Sequence, residues 1–178
     1  MIQSTTATTH PPSSDFDAES HRRRLSKIIR KKSFCTLATT SPAGRAHSAG
    51  VVYDVADGNL WVHAERTSRK VRSISENPNV GVCIPFRRLP AGPPYTIHFQ
   101  ARATVVEMDD LEVRELLATG ALAKISGHGA LEMPEGCFVK VQPNHTVHSF
   151  GPGARPLDLI RDPLNAGART VRFDGAVA

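Results

Sequence analysis

The sequence lacks a hydrophobic run long enough to cross a membrane, since no stretch approaches the ~20 apolar residues that a spanning helix needs. Its beginning, MIQSTTATTHPPSSD, lacks the apolar centre of a signal peptide. Cysteine is scarce, with three widely spaced residues and no CxxC pair. This pattern argues against a disulfide framework and a structural zinc site, and it is typical of a reducing compartment. We therefore expect a soluble, cytoplasmic protein with no membrane partner.

The motifs of several enzyme classes are also absent. The sequence contains no GxSxG hydrolase motif, no Walker A loop and no GxGxxG dinucleotide fingerprint. It has no HExxH pair, and the closest histidines, His145 and His148, would point to opposite faces of a strand. Hydrolase, kinase and Rossmann dehydrogenase functions are therefore not supported, and no metal site is predicted. A haem ligand at His47, His63, His98 or His148 stays open as an alternative.

The excess of positive charge lies in one short segment. The 178 residues contain 22 Lys and Arg against 17 Asp and Glu, which gives a net charge of +5. Seven of the basic residues lie between Arg22 and Lys32, and the other 15 are outnumbered by the 17 acidic residues. A nucleic-acid-binding domain normally spreads its basic residues over one face of its folded body. We therefore expect no nucleic-acid partner, although an interaction of this basic segment with nucleic acid or an anionic membrane stays an alternative.

Apolar periodicity and turn signals predict a mainly β fold of the α+β type. Residues 1–14 are polar and expected to be disordered, and a helix is predicted from Ser14 or Asp17 to Lys32, with Leu25, Ile28 and Ile29 on one face. Further helices are predicted after Thr67-Ser68 and after Asp109, and the six predicted strands cover residues 34–40, 45–55, 60–64, 80–84, 95–107 and 138–150.

Short turns between consecutive strands require antiparallel pairing. Closing six such strands into a barrel leaves few edges exposed. We therefore predict a six-stranded antiparallel barrel with peripheral helices. The barrel domain with its first helix is assigned to residues 15–155, and residues 156–178 are expected to be a mostly irregular C-terminal extension. Cys35 and Cys83 lie in apolar strands and are expected to be core residues rather than nucleophiles.

Two local patterns indicate a binding site. Thr67-Ser68-Arg69-Lys70 lies at a strand-to-helix junction, where free backbone N–H groups, a hydroxyl and two cations favour an anion, with phosphate the best fit. The alternative is an ordinary capped helix with solvated basic residues. Ala49-Gly50, in the middle of a strand, leaves no bulky side chain, so a flat ring system has room to approach the backbone. The alternative there is a β-bulge.

Taken in order, the motifs resemble those of the pyridoxamine 5′-phosphate oxidase-like flavin-binding split barrels. The similarity covers about residues 20–155 and is carried by FCTLATT, SPAGRAHS, LWVHA, TSRK, NPNV, FQARA and FVKVQP. The resemblance implies a six-stranded split β-barrel and a homodimer with a flavin in each of two grooves between the subunits.

The resemblance also assigns roles to individual residues. It implies that the flavin phosphate is bound by Ser68, Arg69 and Lys70, and that the end of the third strand, at His63 and Ala64, lies beside the phosphate and ribityl chain. The small second-strand residues that would lie along the isoalloxazine ring are Ser48, Ala49, Gly50 and Val51. The last strand would reach the ring from the partner subunit near Ser149 and Phe150.

Four positions depart from the oxidases that act on pyridoxamine phosphate. Those enzymes carry Arg and Lys in the second strand where this chain has Ala49 and Asp54, and an aromatic residue where it has Ser149. Their C-terminal R-x-H pair appears here as Arg155-Pro156-Leu157, without the histidine. The resemblance therefore implies a different small-molecule substrate.

The cofactor implied by the resemblance is FMN or the 8-hydroxy-5-deazaflavin coenzyme F-420, with haem less expected. The expected function is that of an oxidoreductase that transfers a hydride to or from a small organic substrate stacked on the ring. The alternative is a non-enzymatic flavin- or haem-binding protein. No catalytic residue is assigned, and His63 and His98 are the candidates for a general acid or base.

Overall fold

The computed structural model describes residues 17–87, 94–127 and 129–177. Its strands are β1 (Phe34–Thr40), β2 (Ala46–Val52), β3 (Asp54–Ala56), β4 (Asn59–Glu65), β5 (Asn79–Phe86), β6 (Tyr95–Val106), β7 (Gly136–Phe150) and β8 (Ala168–Arg172). Its helices are α1 (Ala18–Lys31), α2 (Arg69–Glu76), α3 (Leu111–Ala118), α4 (Pro156–Arg161) and α5 (Pro163–Gly167). The predicted disordered tail, residues 1–14, lies outside the described residues, as does Ser14 as a helix cap.

The sheet follows a path that returns to its starting point. The strand order is β2-β1-β5-β6-β7-β4-β3, with β8 paired to β7, and every pair is antiparallel. The end strands β2 and β3 are consecutive along the chain and separated only by Tyr53. The sheet therefore curls around one apolar core, and the predicted mainly β, antiparallel split barrel is confirmed.

The number of strands differs from the predicted six for two reasons. The predicted strand 45–55 is divided at Tyr53, where two successive residues, Tyr53 and Asp54, are both buried and interrupt the alternation of a strand. The Tyr53 hydroxyl donates to the Ile29 carbonyl at 2.8 Å. Residues 156–178, expected to be mostly irregular, instead contain α4, α5 and β8. That expectation was wrong because the five residues of β8 carry no strong strand signal and are stabilised by pairing with β7.

The first helix packs on the barrel through the predicted apolar stripe. Leu25 and Ile29 are fully buried in the main core, and Ile28 packs against it. Asp17 caps the helix by accepting from the backbone N–H groups of Glu19 and Ser20. The cap of α3 is Asp110 rather than the predicted Asp109. Within the described ranges, no helix has both the length and the apolar character that crossing a membrane requires.

Candidate functional site

The N-terminus of α2 carries the predicted phosphate motif. Ser68 is the N-cap in an extended conformation, yet its side chain makes no capping hydrogen bond. Its Oγ is buried and has no hydrogen-bond partner in the described structure, while the neighbouring Thr67 hydroxyl donates to Glu65 at 2.7 Å. A buried polar atom without a partner costs about 1–3 kcal/mol. Ser68 Oγ is therefore a free group at the positive end of a helix, where an anion is favoured.

A second free polar atom belongs to His63, at the end of β4. Its Nε2 is buried and has no partner among the described residues, and its ring meets Phe138 edge-on at a centroid distance of 5.3 Å. A Cβ on Gly136 would lie 2.9 Å from this nitrogen, so the lack of a side chain at Gly136 makes room for the imidazole ring. Burial lowers the pKa of His63, and the nearby Lys70 ammonium lowers it further. His63 is thus held neutral beside a cation.

Arg69 lies apart from Lys70, on the side of α2 that faces the β1–β2 turn. It lines a cavity of about 190 Å³ together with Ser41, Arg45, Ala46, His47 and Ser73. His47 Nδ1 is buried there without a partner, and no described carboxylate forms an ion pair with Arg45 or Arg69. The cavity is therefore suited to an anion. Arg45 and His47 were not among the predicted cofactor-binding residues, and His47 was considered only as an alternative haem ligand. Their presence in the turn sequence SPAGRAHS is the signal for them.

The second-strand residues divide between two faces of the sheet. Val51 is buried and Ala49 packs against the core, so only Ser48 and Gly50 face outward. A Cβ on Gly50 would lie 2.8 Å from the Phe34 ring, which explains the glycine by a close approach. The register of β1 and β2 is continuous from Ala46 to Val52, so the alternative of a β-bulge is wrong.

The predicted residues at the end of β7 are occupied within their own chain. Ser149 is buried and its hydroxyl lies 3.0 Å from His21 Nε2 on α1. Phe150 is half-buried, and a Cβ on Gly167 would lie 2.5 Å from its ring. Ala64, at the end of β4, is also buried in the core. Contact of Phe150 with the cofactor ring and of Ala64 with the phosphate and ribityl chain stays a prediction. The Ser149 side chain faces inward.

A larger concavity of about 690 Å³ lies on the outer face of the sheet. We call it the outer groove. Small side chains such as Ala38 and Gly81 form part of its lining, and none of the eleven predicted cofactor-binding residues lines it. The lining residues are Thr36, Ala38, Gly81, Val82, Cys83, His98, Phe99, Gln100, Asn144, Thr146 and His148.

Two histidines lie side by side in this groove. His98 on β6 and His148 on β7 are cross-strand partners, and their rings stack with centroids 5.3 Å apart. His148 Nδ1 is hydrogen-bonded to Thr170 Oγ1 at 2.9 Å. Burial lowers the pKa of His98, and the neighbouring His148 lowers it further. In the described ranges, no cluster of three or more His, Cys, Asp or Glu is arranged to hold a metal ion.

The cysteines differ in exposure. Cys35 and Cys137 are buried, as expected for core residues, and burial raises the pKa of Cys35 to about 12. Cys83, also predicted to be in the core, is instead half-buried and lines the outer groove, where desolvation raises its pKa. The low-pKa environment of a reactive thiolate is therefore absent around both Cys35 and Cys83.

Burial of neutral histidines predicts a loss of stability in mild acid. The pKa of His21 is lowered by burial and by the charges of Arg24 and Arg169, while in the unfolded chain it returns to about 6.5. Below this pH the unfolded state binds more protons than the folded state, so the free energy of unfolding decreases as the pH decreases. We expect His21→Gln to reduce this slope by up to about 1.4 kcal/mol per pH unit. Urea unfolding between pH 7.5 and 5.5 measures it, with exposed His145→Gln as the control. An unchanged slope in His21→Gln contradicts the prediction.

The curled antiparallel sheet places the chain in the split-barrel class. The family model for pyridoxamine 5′-phosphate oxidase matches residues 22–146, and the chain belongs to that family. The resemblance stated from the sequence is therefore confirmed. No match was found among the curated proteins.

Solved structures share the fold at low sequence identity. HutZ, a haem storage protein from Vibrio cholerae, is 17% identical with a TM-score of 0.60, over 74% of this chain and 94% of that chain. A haem-binding protein from Mycobacterium smegmatis is 13% identical with a TM-score of 0.65, over 92% of this chain and 60% of that one. An FAD-binding protein from Mesorhizobium loti is 18% identical with a TM-score of 0.57, over 71% and 91%. The likeness to these proteins establishes the fold alone.

Proposed function

We propose that the chain binds a flavin and acts as an oxidoreductase that uses FMN or the deazaflavin coenzyme. The observation that carries this proposal is the buried Ser68 Oγ, which has no partner at the N-terminus of α2. Arg69 and Lys70 follow it directly, and Arg45 lines the same cavity as Arg69. A phosphate at the N-terminus of α2 would accept hydrogen bonds from the Ser68 hydroxyl and the free backbone N–H groups, and it would offset the charge of the nearby cations.

The residues of the chain fit distinct parts of such a cofactor. Ser68 and Lys70 would hold the phosphate, and Arg69 would add positive charge from the neighbouring cavity. On β2, the outward-facing Ser48 leaves room for the ring, whereas the surface of Gly50 is covered by the Phe34 ring. When bound, a flavin ring supplies two-electron hydride exchange with a substrate stacked on it. His63, whose pKa is lowered by burial and by Lys70, would offer its unpartnered Nε2 for a hydrogen bond to the cofactor or substrate.

Pyridoxamine phosphate does not fit the substrate positions of this chain. The position that carries Lys in oxidases of this substrate holds Asp54, the first residue of β3, which is buried and paired with the Lys124 ammonium at 2.9 Å. Asp54 also accepts from the Lys124 backbone N–H at 2.7 Å. The Asp54 carboxylate is therefore used in contacts within the fold, and because it is negatively charged it cannot bind a phosphate as a lysine would. The substrate is therefore another small organic molecule.

A homodimer is part of the proposal, because the outer face leaves apolar surface uncovered. Phe34 and Val52 are cross-strand partners at the ends of β1 and β2, and their exposed fractions are 49% and 48%. A paired apolar patch beside a groove of about 690 Å³ is typical of a surface that another molecule covers. A second copy of the chain would cover this patch, and the cofactor groove would then lie between the two subunits.

Haem binding is the second candidate, and the His98–His148 pair favours it. Two adjacent imidazoles in an open groove present the ligand type that haem iron takes in proteins. The haem proteins among the structural neighbours share this fold. The outer groove, rather than the site at α2 and β2, would then hold the porphyrin.

Titration of the purified chain with FMN, the deazaflavin coenzyme and haemin separates these candidates. We expect saturable quenching of flavin or deazaflavin fluorescence, at one cofactor per chain, and sedimentation as a dimer. With haemin we expect no Soret band that depends on His98, so the spectra of the unmodified chain and of His98→Ala should be the same. Flat titrations with both flavin-type cofactors would overturn the proposal, and a Soret band lost in His98→Ala would favour haem instead.

A further inference from the structure

A separate basic cavity lies between α1 and the barrel end formed by β5 and the turn after β7. We call this cavity of about 270 Å³ the α1 hollow. Five of its eight lining residues are cationic and the other three are apolar. They are Arg24, Lys27, Lys31, Lys32 and Arg87, with Ile28, Phe86 and Pro152. None of them belongs to the predicted cofactor site.

The spacing of α1 explains why cations converge there. Arg24, Lys27 and Lys31 are three and four residues apart, so they lie on one helix face. The opposite stripe, Leu25 and Ile29, is buried in the core and fixes the rotation of the helix. The helix therefore presents three cations to one hollow.

The remaining cations come from outside the helix. Lys32 follows the last turn of α1 and places its ammonium 5.5 Å from the centre of the Phe86 ring. Arg87 follows β5 directly and lines the same hollow. Phe86 is in turn held by the fully buried Tyr95, with ring centroids 5.5 Å apart. The hollow therefore has an aromatic floor anchored in the barrel.

Among the described residues, no ion pair neutralises the four cations that α1 and Lys32 contribute. Arg22 and Arg23, on another face of α1, both pair with Glu19. By contrast, no described carboxylate lies within ion-pair distance of Arg24, Lys27, Lys31 or Lys32. Like charges this close disfavour one another. The negative end of the helix offsets only a fraction of a charge near Lys31, so the cluster favours a multiply charged anion.

We propose that the α1 hollow binds the di- or triphosphate group of a small molecule. A small ligand fits better than a nucleic acid or a membrane, because the cations surround one concavity while the chain outside residues 22–32 has 15 basic against 17 acidic residues. This site is independent of the flavin proposed above. The two sites share no lining residue and lie on different helices, α1 and α2.

The proposal is tested by calorimetric titration of the full chain with inorganic triphosphate and with ATP at 150 mM salt. We expect saturable binding that weakens at least about tenfold in Lys27→Ala/Lys31→Ala, because two charge-assisted contacts to the anion are lost. The matched control is Arg23→Ala/Arg30→Ala, which removes the same charge from exposed positions of the same helix outside the hollow. We expect less than about a threefold effect there, since distant exposed charges are screened.

Three results would overturn the proposal. Equal weakening in both double variants would mean a general electrostatic attraction rather than a site. Loss of triphosphate binding in Arg69→Ala, with none in Lys27→Ala/Lys31→Ala, would place the anion at α2. Tighter binding of single-stranded RNA or of phosphatidylserine vesicles, displaced by neither triphosphate nor ATP, would assign the basic face to a macromolecule. Circular dichroism of each variant confirms that exposed substitutions leave the fold intact.

Discussion

The Arg69→Ala/Lys70→Ala variant is expected to bind FMN about 100-fold more weakly than the unmodified chain, since each charge-assisted contact to a phosphate contributes about 1.5–3 kcal/mol and each tenfold corresponds to ~1.4 kcal/mol. Both side chains follow the unpartnered Ser68 hydroxyl at the start of α2. Their removal leaves the helix N-terminus alone to hold a dianion. Fluorescence titration with FMN measures the change in dissociation constant.

Two controls separate the phosphate contact from other effects. Riboflavin has the same ring but no phosphate, so its affinity should be nearly equal in the variant and the unmodified chain. Arg72→Ala removes one exposed cation from the next turn of α2 and should leave FMN affinity within about threefold, as expected for a screened surface charge. If riboflavin and FMN lose affinity equally, the two side chains support the fold rather than the phosphate.

Local signals in the sequence predicted the elements that depend on neighbouring residues. The Asp57-Gly58 turn is an example, because both residues adopt positive φ angles, 49° and 75°, in a tight hairpin between β3 and β4. The TSRK motif is another, since Ser68 is the N-cap of α2 as expected. These features follow from backbone preferences that act over a few residues.

Contacts between distant segments were not predictable in the same way. Arg45 meets Arg69 because the β1–β2 turn folds onto α2, which depends on how the barrel curls. Ser149 faces inward to His21, 128 residues earlier in the chain. A shift of one residue in strand register would reverse which side of the sheet such a residue faces. The predicted cofactor set therefore included the residues at the N-terminus of α2 but not Arg45 or His47 of the neighbouring cavity, and it gave no indication that Ser149 is buried against His21.

Replacement of Gly151 by alanine is expected to destabilise the fold by roughly 3–5 kcal/mol, from left-handed backbone strain of about 1–2 kcal/mol plus the steric cost of a forced core contact. Gly151 follows β7 with a φ of +95°, and a Cβ there would lie 1.8 Å from Tyr95 Cδ1. Tyr95 is only 2% exposed, so its ring has no free space to enter. The backbone is also restrained, because Gly151 donates to the Gly167 carbonyl at 2.9 Å and accepts from Ala154 at 3.0 Å.

Gly120→Ala is the matched control for this prediction. Gly120 has a φ of +73°, but a Cβ there would meet nothing within 4 Å. It therefore carries the backbone strain without the collision, and we expect a loss of about 1–2 kcal/mol. Urea unfolding of both variants measures the difference, which isolates the contact with Tyr95. Because this ring supports Phe86 at the floor of the α1 hollow, Gly151→Ala should also weaken triphosphate binding, whereas Gly120→Ala should not. Equal destabilisation by the two alanines would mean that Tyr95 moves aside freely and that its position does not shape the hollow.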